Sequence, residues 1–151
     1  MALLKKELIT VGMDVPDRES ALKQTAAKFT ELGVVKDTFG QAILDREAEY
    51  PTGLPAAAFD IAIPHCASEN VNETSMGVTV LSNPVEFLEM GFPDVTLKPR
   101  ILFMLAIKDP KKQLETLQKI MSVIQDADLL NQLASANDAD ELYEILAPRV
   151  D

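Results

Sequence analysis

One imidazole and one thiol stand side by side in this chain, at His65 and Cys66, and no other histidine or cysteine accompanies them. That pairing narrows the chemistry at once. Neighbouring residues on an extended chain point to opposite faces, so a Cys–His nucleophile pair is not expected, and Cys66 reads as a small buried filler. One His and one Cys cannot build a structural zinc site or a disulfide within the chain, and no carboxylate spacing suggests another metal, so neither metal nor cofactor is expected. A single aimed imidazole can still attack phosphorus, because a pKa of about 6.5 leaves much of the ring neutral at pH 7. If Nδ1–H donates to a carbonyl or carboxylate, Nε2 carries the free lone pair. A phosphoryl group gained there needs neutralising donors, and Arg46 is the candidate. The plainer readings are a packing role for His65 and, for Arg46, an exposed helix charge paired with Glu49 or Asp45.

The elements that would position these groups alternate between helical and strand patterns, which favours an α/β fold. Leu8–Val11 reads as a first strand. A helix follows from about Pro16 to Leu32, with Leu22, Ala26 and Phe29 on one face and Gly33 as its stop. Thr38 and Gln41 have the spacing of a capping box for a second helix that runs to about Glu49. The stretch from Tyr50 to Ala58 carries Pro51, Gly53 and Pro55 and reads as a loop. Phe59–Ile63 alternates as a strand, and Pro64 stops it directly before His65, which aims the ring from a sheet rim. Met76–Leu81 is a further strand, and Val85–Phe87 a short edge piece.

Ile101–Ile107 is apolar on both faces, so it should be a central strand covered by helices on each side. Asp109-Pro110 should start the next helix, with Leu114, Leu117, Ile120, Met121 and Ile124 as its buried stripe. Shorter helices follow at 128–133 and 138–146, the second capped by Asn137 or Asp138. No repeat or linker interrupts residues 1–151, which read as one domain.

Composition excludes other classes. The formal net charge is -10 over 151 residues, with 14 Lys+Arg against 24 Asp+Glu, which argues against nucleic-acid binding. The excess concentrates from Asp126 onward, where seven carboxylates face only Arg149; this reads first as a solvated surface and second as a means of steering a basic partner. The longest apolar run is far shorter than a membrane span, and Lys5-Lys6 lead into no long apolar segment. No membrane insertion is expected, and the chain reads as cytoplasmic.

Three blocks in order, Arg46-Glu47, Thr52-Gly53-Leu54 and Ile61-Ala62-Ile63-Pro64-His65, closely resemble the motif of the enzyme IIA domains of the bacterial sugar phosphotransferase system. The match is to the fructose/mannitol type (type 2), and within it most of all to galactitol-specific IIA proteins. It covers nearly the whole chain. The resemblance implies a phosphocarrier that takes a phosphoryl group from phospho-HPr onto Nε2 of the histidine matching His65. The group then passes to a cysteine of the cognate IIB, which phosphorylates the sugar entering through the membrane component IIC. It also implies a mixed, mostly parallel sheet with helices on both faces.

Arg46 matches the family's active-site arginine, and Thr52 is carried as a further site candidate. Mannitol-type members have a second histidine near the start of the helix after the central strand. Here the matching place falls around Gln113, which can donate a hydrogen bond but cannot become cationic. The start of that helix could add backbone N–H groups for the anion. Glu47, Glu49, Asp60 or Glu69 would complement a basic donor, with Leu54 and Phe59 as the dry centre of the interface. Two other readings stand beside this one. One is a regulatory, nitrogen-branch IIA-like protein that signals by phosphorylation-dependent binding, and the other is an interaction domain in which His65 is structural.

Overall fold

Apolar residues on both faces of the segment at 101 demand cover from two sides, and the fold supplies it. The structure, a computed structural model, describes residues 2–151. In chain order it contains β1 (Leu4–Met13), α1 (Arg18–Leu32), α2 (Phe39–Glu49), β2 (Gly53–Leu54), β3 (Ile61–Ala62) and β4 (Ser75–Leu81). There follow β5 (Phe87–Glu89), β6 (Phe92–Leu97), β7 (Ile101–Ala106), α3 (Lys111–Ile124), α4 (Ala127–Ala134) and α5 (Ala139–Val150). A 3₁₀ turn occupies Ser68–Asn70.

All strands join one sheet in the order β1-β4-β7-β3-β2-β5-β6. β1 and β4, β3 and β7, and β2 and β5 pair in parallel, while the other three neighbouring pairs are antiparallel. The expected mixed α/β sheet is therefore present, with parallel pairs making half of its pairings.

Period-two alternation along β7 divides the core. Ile101, Phe103 and Leu105 cluster with Ile120 of α3, Leu130 of α4 and Leu142 of α5. Leu102, Met104 and Ala106 cluster on the other face with Leu22 and Phe29 of α1 and Ile43 of α2. Each large side chain buried in this way contributes roughly 1.5–3 kcal/mol. α1 lies close to the sheet because Gly77 of β4 leaves room. A Cβ there would stand 2.7 Å from the Leu8 carbonyl oxygen and 2.9 Å from the Phe29 ring. Asp17 caps α1 by accepting from the Ser20 N–H at 2.8 Å, and Gly33 ends it at φ 83°.

Several local expectations need correction. The Thr38–Gln41 capping box does not form. Thr38 already has helical backbone angles, and its hydroxyl donates to Asn70 Oδ1 at 2.7 Å, while Gln41 donates to Asp45 at 2.9 Å. The stretch expected as loop contains β2, and the edge piece lies at 87–89 rather than 85–87. β6 was not anticipated, because residues 92–96 are exposed and mark no buried face.

In α3 the start is as expected, with Asp109 Oδ1 accepting from the Lys111 N–H at 3.0 Å. The stripe is not. Ile120 and Ile124 are buried with Thr116 and Val123, but Leu114 is 67% exposed and Met121 42%. The apolar arc of α3 is wider than the sheet can cover. Asp126 and Asp138 cap α4 and α5 through the Leu129 and Glu141 N–H groups. Among the described residues, no helix is long and apolar enough to cross a membrane.

Candidate functional site

β3 is only two residues long, yet it fixes the histidine that follows it. Ile61 and Ala62 pair with Ile101 and Leu102 of β7 on one side and with Leu54 and Gly53 of β2 on the other. The pairing continues past the strand on both sides. The Ile63 N–H donates to the Thr52 carbonyl at 3.1 Å, and the Pro64 carbonyl accepts from the Leu105 N–H at 2.9 Å. The Ile63 carbonyl is left to meet the ring of His65, whose Nδ1 lies 2.8 Å away. A carbonyl oxygen only accepts, so Nδ1 carries the hydrogen and Nε2 keeps the lone pair.

His65 is half-buried at the wall of a cavity of about 580 Å³. Burial pushes its pKa below the usual imidazole value and the Arg46 charge adds to that, while the bond to Ile63 opposes both. That direction favours the neutral ring at pH 7.

Arg46 lines the same cavity from the last turn of α2. The pairing with Asp45 or Glu49 is absent, and among the described residues its buried Nε has no hydrogen-bond partner. The guanidinium lies over the Tyr50 ring, 4.9 Å from its centroid. A buried donor left unpaired costs about 1–3 kcal/mol, a cost that an anion beside it removes.

Thr52 also lines the cavity and is 1% exposed, but its hydroxyl donates to Glu47 Oε1 at 2.6 Å and its N–H to Glu47 Oε2 at 2.8 Å. Gly53 lets this strand approach β5, since a Cβ there would stand 2.6 Å from the Leu88 carbonyl oxygen. Gln113 does not line the cavity. It lies one helical turn before Leu117, which does, and the start of α3 lines a separate cavity with Lys108, Asp109 and Lys112.

Cys66 packs against the α1–α2 side of the core with its thiol pKa pushed up to about 11, chiefly by burial, so it stays protonated at neutral pH. Of the carboxylates expected around His65, Glu49 lines the cavity. Glu47 is only 6% exposed and is held by Thr52, and Asp60 accepts from the Lys98 N–H at 3.0 Å. Leu54 lines the cavity as expected, whereas Phe59 lies under Arg100, whose guanidinium carbon is 5.1 Å from the ring centroid.

The wall includes residues that the sequence reading passed over. Half-buried Leu117 and exposed Met121 come from α3, Met90 and Gly91 from the β5–β6 turn, and Pro93 from the start of β6. Gly91 at φ 80° was the available signal for that turn, and the Met90 N–H donates to the Gly53 carbonyl at 2.8 Å, which ties the hairpin to β2. The result is an imidazole whose Nε2 is free for attack and a guanidinium whose Nε has no partner among the described residues, both on one largely apolar wall.

Residues 2–148 match the family described as the phosphoenolpyruvate-dependent sugar phosphotransferase system, EIIA 2. The galactitol-specific EIIA component of Escherichia coli K12 is 30% identical over 122 residues, covering 81% of each chain. A nitrogen regulatory protein of Bradyrhizobium diazoefficiens is 27% identical over 147 residues, covering 96% of this chain and 92% of that one. The fold matches the structure of a complex of enzyme IIA-mannitol and phosphorylated enzyme IIB-mannitol from Escherichia coli. The TM-score is 0.80 at 24% identity, covering 97% of this chain and 99% of the matched one. The chain belongs to the EIIA 2 family of the phosphoenolpyruvate-dependent sugar phosphotransferase system and is a phosphotransferase.

Proposed function

We propose that His65 is the phosphoryl acceptor of this protein, with phospho-HPr as donor and a cysteine of a cognate IIB as the next carrier. The Nε2 lone pair attacks phosphorus, the bond from phosphorus to the donor nitrogen breaks, and the donor imidazole leaves with that electron pair. The observation that carries this reading is the 2.8 Å contact of Nδ1 with the Ile63 carbonyl, which leaves Nε2 as the nucleophile. Arg46, which lines the same cavity and whose Nε has no partner among the described residues, supplies positive charge to the phosphoryl oxygens. The whole chain, 1–151, acts as one domain, a role exercised in the cytoplasm. A galactitol-type system is supported by the 30% identical relative; IIB and IIC, not this protein, meet the sugar.

The test is labelling by phospho-HPr followed by a chase with IIB. One acid-labile, alkali-stable phosphoryl group should be gained, lost to IIB, and absent from His65→Ala. Full labelling of His65→Ala contradicts the proposal. The regulatory reading keeps support from the nitrogen regulatory relative. Labelling by HPr without transfer to any IIB encoded beside this protein would favour it.

A further inference from the structure

Arg46 and Glu47 are neighbours on the last turn of α2, but they serve different surroundings. Arg46 faces the His65 cavity, whereas Glu47 lines a separate groove between α1 and α2 with Arg18, Leu22 and Leu44. Glu47 is 6% exposed and forms no ion pair among the described residues. A carboxylate is costly to bury unless its oxygens are bonded, and here both are bonded to one residue, Thr52.

From Thr52 the bonding runs directly to the imidazole. Its carbonyl accepts from the Ile63 N–H at 3.1 Å, and the Ile63 carbonyl holds His65 Nδ1 at 2.8 Å. We infer that Glu47 is a positioning residue, whose two bonds to Thr52 clasp the turn carrying Arg46 to the strand pair that orients His65. This rests on the proposal that His65 is the phosphoryl acceptor.

The clasp acts on two things at once. It fixes the carbonyl that selects the Nε2-nucleophile tautomer, and it holds the guanidinium in the same cavity as the imidazole. Glu47 is 6% exposed, so its carboxyl is shielded from solvent; this burial raises its pKa, with the bonds to Thr52 and the Arg18 charge opposing. Its contribution is therefore transmitted through Thr52 and not by contact with the phosphoryl group. A Gln side chain keeps the geometry, since its oxygen can accept from the Thr52 N–H and its amide can donate to the hydroxyl. An Ala side chain removes both bonds.

The experiment compares Glu47→Ala, Glu47→Gln and Thr52→Val with wild type. It reads the nitrogen-15 shifts of His65 in the unphosphorylated protein and the rate of phosphoryl acceptance from phospho-HPr. In Glu47→Ala the Nδ1–H tautomer should lose its dominance and the acceptance rate fall by about 10- to 100-fold. Glu47→Gln should restore both readouts to near wild type, and Thr52→Val, which keeps the backbone bonds, should fall between. Unchanged His65 shifts and rate in folded Glu47→Ala overturn the inference, as does a Glu47→Gln variant as impaired as Glu47→Ala. If Glu47→Ala does not fold, the other two variants decide, and wild-type behaviour of Thr52→Val then counts against it. Wild-type protein that takes no phosphoryl group would defeat the functional proposal instead, while the nitrogen shifts would still report on the clasp.

Discussion

Replacing Arg46 with alanine isolates what the guanidinium contributes to transfer. Its contact with the Tyr50 ring, 4.9 Å from guanidinium carbon to centroid, is worth about 0.5–1 kcal/mol to the fold. Its buried, unpaired Nε costs about 1–3 kcal/mol in the opposite sense. Arg46→Ala should therefore be as stable as wild type, or more stable by up to about 2.5 kcal/mol. Transfer should suffer instead. A charge-assisted hydrogen bond to the phosphoryl oxygens is worth about 1.5–3 kcal/mol, which slows acceptance by about 10- to 150-fold once removed. Rapid-quench labelling by phospho-HPr measures the rate, and thermal unfolding measures the stability. Because the Arg46 charge helps to lower the His65 pKa, an NMR titration of the variant should show that pKa raised. A rate within about twofold of wild type, or a stability loss beyond about 1 kcal/mol, would refute the reasoning.

Three further outcomes follow from the same geometry. His65 has its folded pKa held below 6.5, so the unfolded chain binds the proton more readily in the window beneath that value. Its contribution to stability is full above 6.5 and is lost as pH falls through the folded pKa; denaturant unfolding of His65→Gln should show a flatter profile there, and an unchanged profile contradicts the burial argument. Glu47, with its pKa raised above 4.5, acts in the opposite sense and is common to both proteins, so the comparison isolates the imidazole. Met121→Asp, on the cavity wall and 42% exposed, should raise the KM for phospho-HPr by about tenfold with little effect on stability, and an unchanged KM would remove α3 from the docking surface. Gly53→Ala, whose Cβ would stand 2.6 Å from the Leu88 carbonyl oxygen, should lower stability by about 1–3 kcal/mol, and an unshifted urea midpoint would show that the strands can part.

The sequence made the centre of the molecule legible and left its rim obscure. β7 could be read because full burial forces apolar residues at every position, and His65 could be read because a proline closes an apolar strand immediately before it. Arg46 and Thr52 share the cavity with His65, but no spacing rule shows that the Thr52 hydroxyl is already committed to Glu47. Leu114 and Met121 mislead for a physical reason. Helical periodicity marks an apolar face without saying whether core or partner covers it, and here neither residue is covered. β6 escaped notice because an exposed edge strand needs no alternation. The Glu47–Thr52 clasp joins residues five apart across a helix end, and whether the carboxylate and hydroxyl meet depends on the turn between them, which the residue types alone do not specify.

The central claim is that Nε2 of His65 carries the phosphoryl group. Phosphorus–nitrogen correlated NMR of nitrogen-15-labelled protein, after reaction with phospho-HPr, tests it directly. The account predicts one phosphohistidine with phosphorus coupled to Nε2 of His65, and no such signal from His65→Ala. Coupling to Nδ1, or a phosphoryl group on any other residue, would contradict it.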